Sequence, residues 1–313
     1  MPPPVNRTNI VREPGLIEFN GAYFYSKEAI TITQKDEFFD VNALNFGKLE
    51  DRASDRSYEI ALKPVGAWEN LGVLFPYLSS LIGADIFGSS DTPLTVWTQS
   101  GRKYVFVNTA LTTLPDTNVK VGDTLLADMT FTALLGKDKY PGDSDAYFTL
   151  TTGQTYPGDA AFSTSAIITR FPLLSYGGAP FDSLATVDGA MIKHTLSLTP
   201  KKVNGLGTIG MILADYQLTA QFQPAGNFEM SDILGITGGN LALGSSPTVQ
   251  DLVIQYPGAA GFYVQLYAAS MRQASFKFGT SEGDNLIQGL EARATRTFSA
   301  GAPVPLGYVG TSD

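Results

Sequence analysis

No cysteine occurs anywhere in the 313-residue chain, and His194 is its single histidine. The first absence removes disulfide scaffolds, thiolate zinc sites and cysteine nucleophiles together. The second leaves a histidine-based triad only one residue to use and forbids a multi-histidine metal site within one chain. Long apolar runs are also lacking: none approaches the roughly 18 residues that a membrane-spanning helix needs. Positive charge is in the minority, with 21 Lys plus Arg against 30 Asp plus Glu for a net charge of −9. A domain that grips nucleic acid phosphates is basic, so this balance argues against one. The opening Met1-Pro2-Pro3-Pro4 reads as an extended stub without the apolar core of a secretory signal. The inventory predicts a chain that is not an enzyme, with no catalytic residues, no cofactor and no metal.

What is present points to β structure. The chain has 32 Gly and 18 Pro, 43% hydrophobic residues and only 16% charged ones, a turn-rich composition with enough apolar material for about two domains. Period-two alternation recurs. Tyr58, Ile60 and Leu62 share a face; so do Leu125, Ala127, Met129, Phe131 and Ala133, opposite Asp128, Thr130 and Thr132. Tyr216, Leu218, Ala220 and Phe222 alternate with polar neighbours, as do Leu290, Ala292 and Ala294 with Glu291, Arg293 and Thr295. Helical spacing is confined to residues 67–75, which Pro76 ends, and residues 228–234. The expected class is all-β with short flanking helices.

Both helical stretches follow a Pro-x-Gly-x-aromatic-Glu turn. Pro64-Val65-Gly66-Ala67-Trp68-Glu69 and Pro224-Ala225-Gly226-Asn227-Phe228-Glu229 lie 160 positions apart, each after an alternating strand. Residues 105–110 correspond downstream to 262–269, and Ile30–Thr33 corresponds upstream to His194–Leu198. This order predicts two copies of one strand-rich unit, residues 1–136 and 176–313, joined by a spacer at 137–175. The copies differ in one loop. Gln34 to Ser57 is long and carries Lys35, Asp36, Glu37, Asp40, Lys48, Glu50, Asp51, Arg52, Asp55 and Arg56, whereas its counterpart, Thr199 to Asp215, reads as shorter and glycine-rich. A long loop in a compact domain signals function or a partner.

Several motifs have plainer explanations than chemistry. Gly205-Leu206-Gly207-Thr208-Ile209-Gly210 matches the dinucleotide fingerprint but does not open a helix, so it reads as accidental. Tyr140-Pro141-Gly142-Asp143, Tyr156-Pro157-Gly158-Asp159 and Tyr256-Pro257-Gly258 read as type II turns. His194 has the strand parity of Ile192, Leu196 and Leu198 and reads as a core or interface residue. Asp143 and Asp145 lack the remaining ligands of a calcium loop.

The ordering of blocks resembles the major tail tube proteins of long-tailed, siphovirus-type bacteriophages. It rests on the run Gly15-Leu16-Ile17-Glu18-Phe19-Asn20-Gly21-Ala22, the strand Ile30 to Thr33, Pro64-x-Gly66-x-Trp68-Glu69, Leu74-Phe75-Pro76-Tyr77-Leu78, and the ending Thr297-Phe298-Ser299-Ala300-Gly301-Ala302-Pro303. The resemblance implies two tandem tube-type β-barrel or β-sandwich domains that contribute strands to a ring-shaped barrel shared between subunits. It implies a virion structural protein, assembled in the bacterial host cytoplasm, whose rings stack into a hollow tube that DNA crosses during ejection. The implied partners are further copies of the chain, other tail proteins at the two tube ends, and DNA in transient passage, with no membrane. Six tube domains per ring become three duplicated chains, a homotrimer with pseudo-sixfold symmetry. The charged loop from Gln34 to Ser57 takes the position of an inter-ring loop, and Asp128, Thr130, Thr132, Glu291 and Thr295 are the candidates for the lumen. A reading from another class also stands: a β-sandwich binding module of a virion or cell surface, using Tyr140 and Tyr156 as a carbohydrate or receptor platform.

Overall fold

The fold was derived from a computed structural model that describes residues 15–43, 47–65, 71–79, 82–120, 125–157, 173–177, 184–225, 249–255, 262–277, 286–295, 298–299, 302–303 and 305–311. The chain is almost entirely β. The first half runs β1 (Gly15–Phe19), β2 (Ala22–Ser26), β3 (Thr31–Ala43), β4 (Gly47–Leu62), β5 (Pro64–Val65), α1 (Leu71–Leu74), a 3-10 turn (Pro76–Leu78), β6 (Leu94–Thr98), β7 (Lys103–Phe106), β8 (Asn108–Thr113), β9 (Thr117–Val119), β10 (Met129–Leu134) and β11 (Phe148–Thr151). The rest runs β12 (Leu173–Tyr176), β13 (Leu184–Val203), β14 (Gly207–Pro224), β15 (Gln250–Gln255), β16 (Phe262–Lys277), β17 (Leu286–Arg293), β18 (Phe298–Ser299), β19 (Ala302–Pro303) and β20 (Gly307–Thr311). No helix among the described residues is long and apolar enough to cross a membrane.

Local chemistry sets several of these elements. Asn20 and Gly21, both at positive φ (49° and 77°), make the tight turn between β1 and β2, the conformation that Asn-Gly takes most readily. Pro76 begins the 3-10 turn after Leu74, where the sequence predicts a helix stop. The second expected helix, at 228–234, lies outside the described residues, as does the Trp68-Glu69 part of the first. The Tyr140–Asp143 turn closes through an Asp143 N–H to Tyr140 C=O bond of 3.0 Å. Gly142 is not at positive φ, however, so the expected type II geometry is not adopted.

Four sheets result, the smallest being only the β18-β19 pair. One has the order β11-β7-β6-β1-β2-β5, the second β3-β4-β10-β8, and the third β12-β15-β16-β17-β14-β13-β9, with β20 added on β16. In the third, β12 also pairs β13, so six strands return on themselves in a ring. The alternating residues supply the core. Ile60, Leu62, Met129, Phe131 and Ala133 are buried, as are Tyr216, Leu218, Ala220, Phe222, Leu290, Ala292 and Ala294. Phe19 and Phe131 meet at 4.8 Å. Burying each such Leu or Phe contributes roughly 1.5–3 kcal/mol. The phenols of Tyr77 and Tyr176 reach the Leu111 and Ala269 carbonyls at 2.6 and 3.0 Å, so neither buried hydroxyl is left unsatisfied.

The correspondence between the halves extends to residue register. Adding 160 to each number in the β3–β4 ladder, from Thr31↔Ala61 to Ala43↔Gly47, reproduces all thirteen pairs of the β13–β14 ladder from Met191↔Gln221 to Val203↔Gly207. Both bulges recur, after Glu37 and Ser197 and after Val41 and Lys201. Ser26↔Pro64 becomes Thr186↔Pro224. Phe131↔Leu111 corresponds to Ala292↔Met271, and β8 and β16 each bulge at the next residue, 112 and 272. Bulges bend and twist a strand, so their repetition gives the two hairpins the same curvature.

Three sequence expectations change. Gln34 to Ser57 is not a loop but the outer part of the β3–β4 hairpin, and Thr199 to Asp215 belongs to a β13–β14 hairpin of the same length rather than a shorter loop. Ile30–Thr33 corresponds to residues 190–193, not 194–198. The slip of four conserved strand parity, which is all that alternation can report. Finally, parts of the expected spacer carry sheet strands, since β11 pairs β7 and β12 pairs β15.

Candidate assembly surface

The two hairpins project as arms. Strand β10 covers β4 only as far as Tyr58, beyond which Lys35–Ala43 and Gly47–Ser57 pair solely with each other among the described residues. The first arm's charges neutralise one another along it. Lys35 meets Glu59 at 3.3 Å, and Arg56 makes a two-point contact with Asp36 at 2.6 and 3.0 Å. Lys48 bridges Asp40 and Asp51 at 2.9 and 2.6 Å, and Arg52 reaches Glu50 at 2.5 Å. The Arg56 guanidinium holds the Asp36 carboxyl below its usual pKa, and Lys48 does the same to Asp40. Such exposed pairs stabilise little individually but leave a polar, salt-sensitive ribbon.

Two of the ten arm residues look across to the second arm instead. Asp55, largely buried, accepts the Thr208 N–H at 2.8 Å and a short hydrogen bond from the Thr208 hydroxyl, and Lys202 lies 3.6 Å away. Glu37 receives Lys202 at 2.7 Å. A third carboxylate joins them: Asp85 Oδ1 accepts the Met211 and Phe87 amides at 3.2 and 3.0 Å. The glycines of the false dinucleotide motif are explained here. A Cβ on Gly207 would lie 2.4 Å from Asp55 Oδ1, and one on Gly210 would lie 2.2 Å from Asp85 Oδ2. Two glycines therefore let carboxylates of the first half touch the second arm's backbone.

At the arms' base a seam joins the halves. Strand β9 adds to β13 through Val119↔Ala190, Asn118↔Met191 and Thr117↔Ile192. Beside it the His194 ring is buried, stacked on Phe75 with centroids 4.6 Å apart, and its Nδ1 lies 2.9 Å from the Tyr216 hydroxyl. The His194 N–H donates to Asp116 Oδ1 at 3.3 Å. Burial pushes the imidazole pKa down to about 3 and the Asp116 carboxyl up. Because the unfolded chain takes up the histidine proton near pH 6.5 while the folded one stays neutral to about 3, this group removes stability as pH falls through that window. Asp116 acts in the opposite sense. Comparing wild type with His194→Gln isolates the histidine: wild type should lose roughly 1.4 kcal/mol per pH unit below about 6.5 relative to the variant. Denaturant unfolding at several pH values measures it, and a pH-independent difference would refute the assignment.

The lumen candidates divide. Thr130 and Glu291 hold equivalent places, opposite Ala61 and Gln221, on the sheet face away from the core, and both are half-buried. Glu291 accepts from Gln221 at 2.9 Å. Asp128 is exposed, 3.6 Å from Lys63, and Thr295 is half-buried. Thr132 is a correction: it is only 6% exposed and shares a 2.8 Å hydrogen bond with Thr112 in the bulge, so it presents no surface. Of the turn residues, Asp143 accepts the Tyr140 N–H at 2.8 Å and Asp145 pairs with Lys139 at 2.5 Å. The residues missed from the sequence are Asp85, Lys202 and Thr208. The glycine motif was their signal, because glycine inside a strand marks close backbone approach.

No protein-family model matches the chain, and none of the curated proteins is similar to it in sequence.

Proposed function

We propose that this chain is a structural subunit that polymerises into rings stacked as the hollow tail tube of a long-tailed bacteriophage, through which DNA passes on ejection. The observation that carries the reading is the seam. The sheet of the first half ends in β8, its chain continues as β9, and β9 pairs β13, so that two hairpins of identical register stand side by side as neighbouring staves. Three such chains supply six staves. Each stave turns one face to the core and the other, with Thr33, Glu59 and Thr130 in one half and Lys193, Thr219 and Glu291 in the other, away from it. That second face is the lumen in this reading. A net charge of −9 per chain repels phosphate across a bore a few Debye lengths wide, each about 10 Å near 0.1 M salt, so the cargo slides rather than binds. Equal arm lengths mean that both hairpins reach the next ring, the first with a charged end and the second with Lys201 and Lys202 near its tip.

Negative-stain microscopy of the concentrated full-length protein tests the reading directly. Hollow tubes are expected, with three chains per ring by native mass spectrometry. Chains that stay single overturn it, and six chains per ring overturn the trimer. Deleting Asn42 to Asp51 removes the first arm's tip while leaving Glu37 and Asp55 in place, so rings should persist and tubes should not form. Long tubes from that deletion would show that the arm does not carry stacking.

A further inference from the structure

Two sheet edges that the register makes equivalent have different fates. On β13 the edge at Ala190, Met191 and Ile192 is covered by β9. Subtracting 160 places the same edge at Ile30, Thr31 and Ile32, where β3 begins, and among the described residues β3 pairs only β4. Side-chain exposure follows. Ile192 is 0% exposed and Ile32, the same residue at the same place in the ladder, is 40% exposed. Farther out, Leu198 packs against the core whereas its counterpart Phe38 is 60% exposed. Open strand edges with apolar side chains recruit other strands unless they are protected.

The matching donor edge is on the same chain. Thr117 of β9 bridges Leu126 on one side and pairs Ile192 on the other. Adding 160 to the first bridge gives Lys277↔Leu286, the last pair between β16 and β17. Among the described residues no strand pairs with the opposite edge of β16 from Gln273 to Lys277, since β15 and β20 both bind the strand's earlier part.

We propose that the edge of β3 around Ile32 is the docking surface for a second copy of this chain, whose β16 end near Lys277 adds to it antiparallel as β9 adds to β13. The two edges lie on opposite halves of the molecule, so the contact is head to tail, and repetition produces a closed ring or an open filament according to the rotation per step. Ile32 then becomes buried as Ile192 is. The proposal deepens the tube reading by naming the surfaces through which chains meet, and shares with it the requirement that chains associate.

The absence of cysteine makes the pairing testable in the full chain. Ile32→Cys and Lys277→Cys chains, prepared separately and mixed under oxidising conditions, should give mainly the mixed disulfide dimer, because these two positions face each other only across the proposed contact. A statistical ratio of mixed to self-linked dimers overturns the proposal. In parallel, Ile32→Lys puts a cation where the proposed contact buries an apolar side chain and should weaken self-association on the order of 30-fold by native mass spectrometry, the scale of losing an interface anchor. Ile82→Lys, at a residue 42% exposed elsewhere, should associate as wild type. Circular dichroism confirms that each variant is folded. Rings or tubes that survive in folded Ile32→Lys remove this surface but leave the tube reading standing; a wild type that never self-associates overturns both.

Discussion

Replacing Gly189 by alanine should detach β9 from β13 and cost roughly 2–4 kcal/mol of stability. Gly189 sits at φ +82°, a conformation that costs about 1–3 kcal/mol in a residue with a side chain. Its neighbourhood compounds this. An added Cβ would lie 2.1 Å from the Val119 carbonyl oxygen, at the end of the strand that joins the halves, and 2.9 Å from the Cα of Lys120, the residue after it. No rotamer change relieves a clash with backbone, so β9 must move away. Its three pairs with β13 then open, and water reaches the stack of Phe75 on His194. Differential scanning calorimetry should show a transition lowered by roughly 5–15 °C, taking 2–4 °C per kcal/mol for a large domain. A transition within a degree of wild type would mean that β9 does not lie against Gly189.

Loss of the Asp55 carboxylate should separate the arms. Asp55→Ala leaves the Thr208 amide and hydroxyl without their acceptor and Lys202 without one of its two carboxylates. An unsatisfied buried donor costs about 1–3 kcal/mol, so the loss is roughly 2–4 kcal/mol. Asp55→Asn keeps the shape and one acceptor oxygen and should cost less. Gly207→Ala approaches the same contact from the other side, pushing a methyl to 2.4 Å from Asp55 Oδ1 at a residue with φ +76°. All three variants should expose the arms to limited proteolysis while the sheets at their base stay protected, in the order Ala, then Asn, at position 55. Cleavage unchanged in Asp55→Ala would show that the arms are held elsewhere.

The buried strand faces were legible in the sequence because strand faces and turns leave local marks. Alternation in 58–62, 129–133, 216–222 and 290–294 reports which face is buried, and the structure buries those faces. The turns at Pro64 and Pro224 preserve the 160-residue spacing because proline in both is tied to the same ladder position, opposite Ser26 and Thr186. The hairpin arms were not legible. Nine cross-strand pairs with many charges look like a loop when there is no buried face to impose alternation, and most of the first arm is exposed on both sides. The length of the second arm was hidden by its glycines, which mark contact with Asp55 and Asp85 rather than turns. Thr132 was misjudged for a related reason. Alternation assigns it to the polar face correctly, but the Thr112 bulge closes over that position.

By itself the sequence determined the β class, the absence of thiol chemistry and the recurrence of a turn at a fixed interval. Composition and short periodicity carry that information, since each depends only on neighbours along the chain. Only the tertiary structure decided that the two hairpins share one register with both bulges, that Asp55, Asp85 and Lys202 join the arms, and that Ile192 is covered where Ile32 is open. The last two facts depend on pairs separated by more than 70 residues, such as Thr117 with Ile192 and Asp55 with Thr208, and register across such distances is set by packing between sheets rather than by local pattern.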